Sequence, residues 1–118
     1  MYQILLYETP AGNIPLNKFI IDLAKQHKTE KIISLKDMLD DLKIMGLDID
    51  KKHKKAIKYI TEQIYELRPD NVRVFFFMFD DDKIIILHGF EKKTQKTPKR
   101  EIDKAKGYKK DYLSRIGK

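Results

Sequence analysis

The chain has 118 residues, 42% of them hydrophobic, with five Gly and four Pro, so one core and one domain over residues 1–118 are expected, without a long disordered stretch. Cys is absent, which excludes disulfide scaffolds, thiolate zinc sites and cysteine nucleophiles together. The charge is one-sided: residues 88–118 carry eleven Lys and Arg against four acids, net +7, while residues 1–87 carry fourteen of each. A polyanionic partner, above all nucleic acid, is what such a field attracts.

The N-terminus has no basic segment ahead of its short apolar run, and no run approaches the roughly 20 residues needed to span a bilayer. A cytoplasmic protein without a membrane partner is expected. His27, His53 and His88 have no carboxylate at ligand spacing beside them, so neither a metal site nor a cofactor is expected.

Tyr2 to Tyr7 read as a first strand, closed by the loop Thr-Pro-Ala-Gly-Asn. Pro15 suits the first turn of a helix in which Phe19, Ile20, Leu23 and Ala24 recur at helical spacing, ending near Gln26. Thr29 offers a cap for a second helix with an apolar stripe from Ile32 to Leu42, and Gly46 ends it. The two make a helical hairpin. The Lys-rich stretch from Asp48 to Lys58 reads as a solvated loop, or as the flank of a binding groove. Ile60 to Arg68 is strand-like, Pro69-Asp70-Asn71 breaks it, and Val72 to Phe79 and Lys83 to Phe90 form a hairpin around an acidic turn. Thr97 and Pro98 supply a cap and a first-turn proline for a C-terminal helix with Ile102, Ala105, Tyr108, Tyr112 and Leu113 on one face. This order predicts an α+β fold with a mostly antiparallel sheet, an N-terminal helical hairpin and a C-terminal helix.

A turn centred on Asp81 and Asp82 would set Phe79 opposite Ile84, Phe77 opposite Ile86, Phe75 opposite His88 and Arg73 opposite Phe90. These eight residues then share one face, and Val72, Val74, Phe76, Met78, Ile85 and Leu87 line the other, which is purely apolar and must be core. The first face ends in a cation, an imidazole and an aromatic ring. That grading suits a site at the open end of the sheet. The bland alternatives are that Arg73 pairs with Glu66 or an acid of the last helix, that His88 is a satisfied semi-buried side chain, and that Phe90 is a core plug rather than a base-stacking platform.

Ile64-Tyr65-Glu66-Leu67-Arg68, Arg73-Val74-Phe75-Phe76-Phe77, and Leu87-His88-Gly89-Phe90 followed by Lys92-Lys93-Thr94 and Lys96-Thr97-Pro98 resemble the phage-derived Gp49-like, HigB-type toxins of the RelE superfamily. The match is close over residues 64–112, and the helical hairpin before it agrees in order and length. The resemblance implies a RelE-like fold and a toxin of a type II toxin-antitoxin system: an endoribonuclease (mRNA interferase) that needs no metal, cuts messenger RNA on the ribosome and inhibits translation. In such enzymes the ribose 2′-hydroxyl attacks the adjacent phosphate, leaving a 2′,3′-cyclic phosphate and a 5′-hydroxyl. The implied partners are mRNA, the ribosome and a helix-turn-helix antitoxin of the HigA type, with operator DNA reached only through that antitoxin.

Carried over by position, Arg73 is the ligand of the scissile phosphate, since a guanidinium holds two oxygens in a fixed fork. Arg68 is a second phosphate ligand or a brace for Glu66. Either Lys92 or Lys93 neutralises the transition state. Lys96, Lys99 and Arg100 hold flanking RNA or ribosomal RNA, with Phe90 as a stacking ring. The proton-transfer groups are drawn from His88, a lysine of lowered pKa, Glu101 and Tyr108, with His88 leading because its ordinary pKa lies near neutrality. The readings from other classes are a non-catalytic nucleic-acid-binding protein and a phage interaction module, each using the basic C-terminal patch for affinity alone.

Overall fold

Five strands form one sheet between two helical layers. In the computed structural model, which describes residues 1–117, β1 (Gln3–Leu6) precedes α1 (Pro15–Lys25) and α2 (Thr29–Met45). A short 3-10 helix (Gly46–Lys51) leads to β2 (Ile57–Thr61), β3 (Ile64–Leu67), β4 (Val72–Phe79), β5 (Lys83–Glu91) and α3 (Lys99–Arg115). The strand order is β1-β5-β4-β3-β2, antiparallel throughout except where β1 lies parallel beside β5. The α+β class, the antiparallel bias, the helical hairpin and the final helix agree with the sequence reading.

The central strands are apolar on both faces, so both must be covered. Leu16 and Phe19 of α1 and Leu35 and Leu42 of α2 pack on Val72, Val74, Phe76, Ile84 and Ile86. Ala105 of α3, with Ile102, Tyr108 and Tyr112, packs on Phe75, Phe77, Ile85 and Leu87. The face expected to open toward a site is therefore closed by α3 over most of its length.

Several local expectations fail for identifiable reasons. The single strand over residues 60–68 is a hairpin, β2 and β3, turning at Glu62 and Gln63 with φ of 48° and 60°. Such a turn usually announces itself with Asn or Gly; here neither is present. The solvated loop of residues 48–58 holds the 3-10 helix and the start of β2, and it anchors them in the core through the buried Ile49 and Ala56. Thr29 is the first residue of α2 and makes no cap hydrogen bond. Thr97 likewise does not cap α3, which starts at Lys99 after Pro98. Gly46 does end α2, at φ 58° and packed against Tyr2.

The hairpin register is right at one end and shifted at the other. Arg73 faces Phe90 and Phe75 faces His88 as expected, but Phe76 faces Ile86 and Phe79 faces Lys83. The loop has three residues, Asp80 to Asp82, with positive φ at Asp80 and Asp81, a conformation Asp tolerates better than most residues. Leu87 is the extra residue of a β-bulge, which restores the pairing beyond it. In consequence Ile84 and Ile86 face α1 and α2, whereas Ile85 and Leu87 face α3, the reverse of the expected sides. His88 and Phe90 keep theirs.

Candidate functional site

The end of the sheet where β3 stops, β4 starts and β5 stops gathers the basic residues. Arg68 follows β3, Arg73 is the second residue of β4, and Lys92 follows β5. The turn between β3 and β4 is closed by Val72 N–H donating to Pro69 O at 2.9 Å, and Lys92 N–H donates to Asn71 O at 2.8 Å. Two lysines at the start of α2, Lys28 just before it and Lys31 in its first turn, brace this end from behind. Lys28 holds Glu91 at 2.8 Å, and Lys31 holds Asp70 at 3.4 Å and the Asn71 side-chain oxygen.

Arg68, Arg73, Lys92, Lys93, Thr94 and Gln95 line a cleft of ≈ 540 Å³. Beneath it lies Glu66 of β3, a fully buried carboxylate. Its Oε1 stands 3.8 Å from Arg68 Nε and 3.7 Å from Arg73 Nε, close enough for strong attraction and too far for a hydrogen bond. Its Oε2 accepts a hydrogen bond from Thr97 Oγ1 at 2.9 Å. Arg73 Nη1 donates to Asp70 O and Val72 O, each at 2.9 Å, which locks the guanidinium to the strand. Burial pushes the Arg73 guanidinium below its ordinary pKa, and Glu66 opposes that effect; it remains a cation.

Glu66 Oε1, Arg68 Nε and Arg73 Nε are all buried without a hydrogen-bond partner. Buried polar atoms in that condition mark a place where a ligand or a rearrangement completes the network. Four cations line the cleft and one carboxylate sits below it, so the cleft carries excess positive charge in a partly desolvated setting. Its chemistry is the binding of a phosphate and the stabilisation of charge added to it.

Of the residues singled out in the sequence, Arg68, Arg73, Lys92 and Lys93 come together. Lys92 is half-buried and Lys93 exposed. The others stand apart from the cleft lining. His88 is buried, with Nε2 at 3.3 Å from Glu101 Oε1 and its ring edge-on to Phe75 and Tyr108. Burial lowers its pKa to about 4, so it is neutral near pH 7. Phe90 is buried against Phe75 and His88, and is core before it is a stacking surface. Lys96 is exposed beyond the cleft, and Lys99 and Arg100 project from the first turn of α3, Lys99 paired with Asp103 and Arg100 near Glu101.

The sequence reading that Arg73 pairs with Glu66 and that Arg68 braces it agrees with the structure; the tie between Glu66 and Thr97 was not foreseen. The Glu-Leu-Arg string held the first signal, because an acid between two apolar residues of a strand needs a partner when that strand is covered. Thr97 gave a misleading one, since Thr before Pro is also a helix-start pattern. Among the described residues no group of three potential ligands is placed to hold a metal ion, and no helix is long and apolar enough to cross a membrane.

A five-stranded α+β fold of this kind with a basic cleft at one sheet end is compatible with the RelE-like toxins. The model of the family "Phage derived protein Gp49-like" matches residues 20–110, and the chain belongs to that family, one of RelE- and HigB-like toxins. The matched span includes Glu66, both arginines and both cleft lysines. No curated protein matches the chain.

Proposed function

We propose that this protein is the toxin of a type II toxin-antitoxin pair, a HigB-like endoribonuclease that cuts messenger RNA on the ribosome without a metal ion. The observation that carries the reading is the pairing of two guanidiniums over one buried carboxylate, at 3.7 and 3.8 Å, at the base of a cleft rimmed by two lysines. The scissile phosphate binds Arg68 and Arg73, the latter through Nη2, since Nη1 is held by the backbone and Nε faces Glu66. As the 2′-hydroxyl loses its proton to solvent and its oxygen attacks, phosphorus passes through five-coordination and gains negative charge, which the four cations stabilise more strongly than they stabilise the ground state. The bond to the 5′-oxygen then breaks and that oxygen takes up a proton from water, leaving a cyclic phosphate and a 5′-hydroxyl. Lys92 is the better placed of the two lysines for this, because a half-buried ammonium is screened less than an exposed one. Lys96, Lys99 and Arg100 steer flanking RNA. His88 does not line the cleft and is not assigned a proton-transfer step in this proposal.

The test is Arg73→Ala, assayed on ribosome-bound and free mRNA. Cleavage is expected to fall by ~10²-fold or more while RNA affinity falls only by one contact's worth. Wild-type cleavage should persist in EDTA on free RNA and leave 2′,3′-cyclic phosphate ends. Retained growth arrest by Arg73→Ala at equal expression, or products with 5′-phosphate and 3′-hydroxyl ends, would overturn the proposal. Loss of affinity without any cleavage by the parent protein would favour a non-catalytic RNA binder.

A further inference from the structure

We propose that the cavity between α1 and α3, beyond the end of β1, is a nucleobase pocket. It takes the base of a nucleotide close to the one whose phosphate occupies the arginine cleft, and this second half rests on RNA being the substrate. The cavity measures ≈ 810 Å³, and Asn13, Asn17, Phe19, His88, Lys104 and Tyr108 are among its lining residues. That volume suits a ligand of nucleoside size.

The cavity arises from the topology. β1 pairs with β5 only from Lys83 to Ile86, and the chain then turns away through the loop closed by Gly12 N–H to Thr9 O. His88 and Gly89 are left beyond the end of the neighbouring strand. Gly89 lets Phe19 lie close against the sheet, since a Cβ there would come within 2.8 Å of that ring.

One of the lining residues, His88, holds an unsatisfied polar atom. His88 is 3% exposed, its Nε2 faces the Glu101 carboxylate at 3.3 Å, and its Nδ1 has no partner. Opposite a carboxylate, Nε2 carries the ring proton of the neutral imidazole, which leaves Nδ1 as a buried acceptor in need of a donor. A ligand bringing an N–H group supplies it once the side chains that cover the atom give way. Asn13 and Asn17 offer amides that both donate and accept, and Tyr108 offers an aromatic ring. A planar base with donors and acceptors on its edge uses all of these. A lone phosphate has neither a planar face for Tyr108 nor an N–H donor, and the lining charges here are two lysines, Lys18 and Lys104, offset by Asp22, fewer cations than the four of the arginine cleft. His88 is two residues from Phe90, roughly 7 Å at the ordinary strand rise, and Phe90 pairs with Arg73 about 5 Å further, across the hairpin. Cavity and cleft are thus close enough for nucleotides near one another on a single strand.

The experiment is amide and side-chain NMR of the full chain titrated with adenosine, cytidine, uridine and guanosine 5′-monophosphate to about 10 mM, and separately with inorganic phosphate. At least one of the four is expected to shift the side-chain amides of Asn13 and Asn17 and the ring of Tyr108. Asn17→Trp, a substitution at an exposed helix position that fills the cavity, is expected to abolish those shifts and leave the phosphate-induced shifts at Arg68 and Arg73 in place. If none of the four moves the cavity resonances, or if Asn17→Trp leaves their shifts unchanged, the pocket is not a base site. Nucleoside shifts at the cavity with no phosphate response at the arginines would uphold the pocket and count against the proposed RNA cleavage.

Discussion

Arg73 Nε and Glu66 Oε1 meet diagonally across neighbouring strands at 3.7 Å, both atoms buried and without a hydrogen bond between them. Arg68 approaches the same carboxylate oxygen at 3.8 Å. One negative charge thus holds two positive ones side by side, an arrangement that leaves net attraction for a further anion.

Replacing Glu66 by Gln keeps the shape and removes the charge that offsets the two guanidiniums. Leaving buried charges uncompensated costs about 3–5 kcal/mol, so Glu66→Gln is expected to melt well below wild type. Inorganic phosphate bound in the cleft of the folded state would take over the missing charge, so it should raise the melting temperature of the variant more than that of wild type. Equal phosphate responses, measured by thermal denaturation over a phosphate series, would show that the cleft does not bind phosphate through these arginines.

Thr97 ties the segment after β5 to the floor of the cleft through its hydrogen bond to Glu66. Thr97→Val preserves volume and strands a buried carboxylate oxygen, which costs about 1–3 kcal/mol. RNA cleavage should fall as well, because that segment carries Lys92 and Lys93. Thr97→Ser, which keeps the hydroxyl, should restore both. If Val and Ser variants unfold at the same denaturant concentration, the hydrogen bond is not what holds the segment.

His88 makes stability depend on pH in a defined window. Its folded pKa, about 4, lies below the ordinary 6.5 because burial outweighs the attraction of Glu101. The unfolded chain therefore takes up the proton first as pH falls. The stabilisation is fully present above about pH 6.5 and is lost progressively as pH falls to about 4, amounting to roughly 3 kcal/mol. Glu101 raises the pKa and Lys104 lowers it; Tyr108 meets the ring edge-on. Urea unfolding between pH 7.5 and 4 should show this slope in wild type and a shallower one in His88→Phe. An identical slope in the variant would mean that His88 is not protonated on unfolding.

What could be read from the chain depended on whether a residue's meaning was local. Arg73 is a lone charge in a hydrophobic strand, and its neighbours Phe75, His88 and Phe90 fall in the expected register because the bulge at Leu87 cancels the one-residue shift of the three-residue loop before the chain reaches them. The bulge itself left no trace: Ile84 to Leu87 is apolar throughout, so no polar residue marks the phase of the strand. The turn at Glu62 and Gln63 was hidden because neither residue favours positive φ. His88 looked like a proton-transfer group from its ordinary pKa, but α3 closes over it, and that cover is a tertiary fact. Thr97 and Glu66, 31 residues apart, meet only once the sheet and α3 are both in place.

The net charge of +7 carried by residues 88–118 suggests how an antitoxin would act. An acidic segment or helix covering the surface around Arg73 and Lys92 would associate quickly and compete with RNA for the same cations. The rival mechanism is steric exclusion from the ribosome by an antitoxin bound on α1 and α2. Charge reversal separates them, because Lys93 is exposed and Lys92 half-buried at the cleft rim, where substitution leaves the core untouched. With Lys92→Glu and Lys93→Glu combined, direct masking predicts at least a tenfold loss of antitoxin affinity, about 1.4 kcal/mol, and a flatter dependence of affinity on salt. Calorimetric binding to a helix-turn-helix antitoxin, should the neighbouring gene encode one, at several salt concentrations reads both. Wild-type affinity with an unchanged salt dependence would place the antitoxin on the helical hairpin instead, and substitutions at the exposed Ile21 and Ile33 would then be the ones to weaken it.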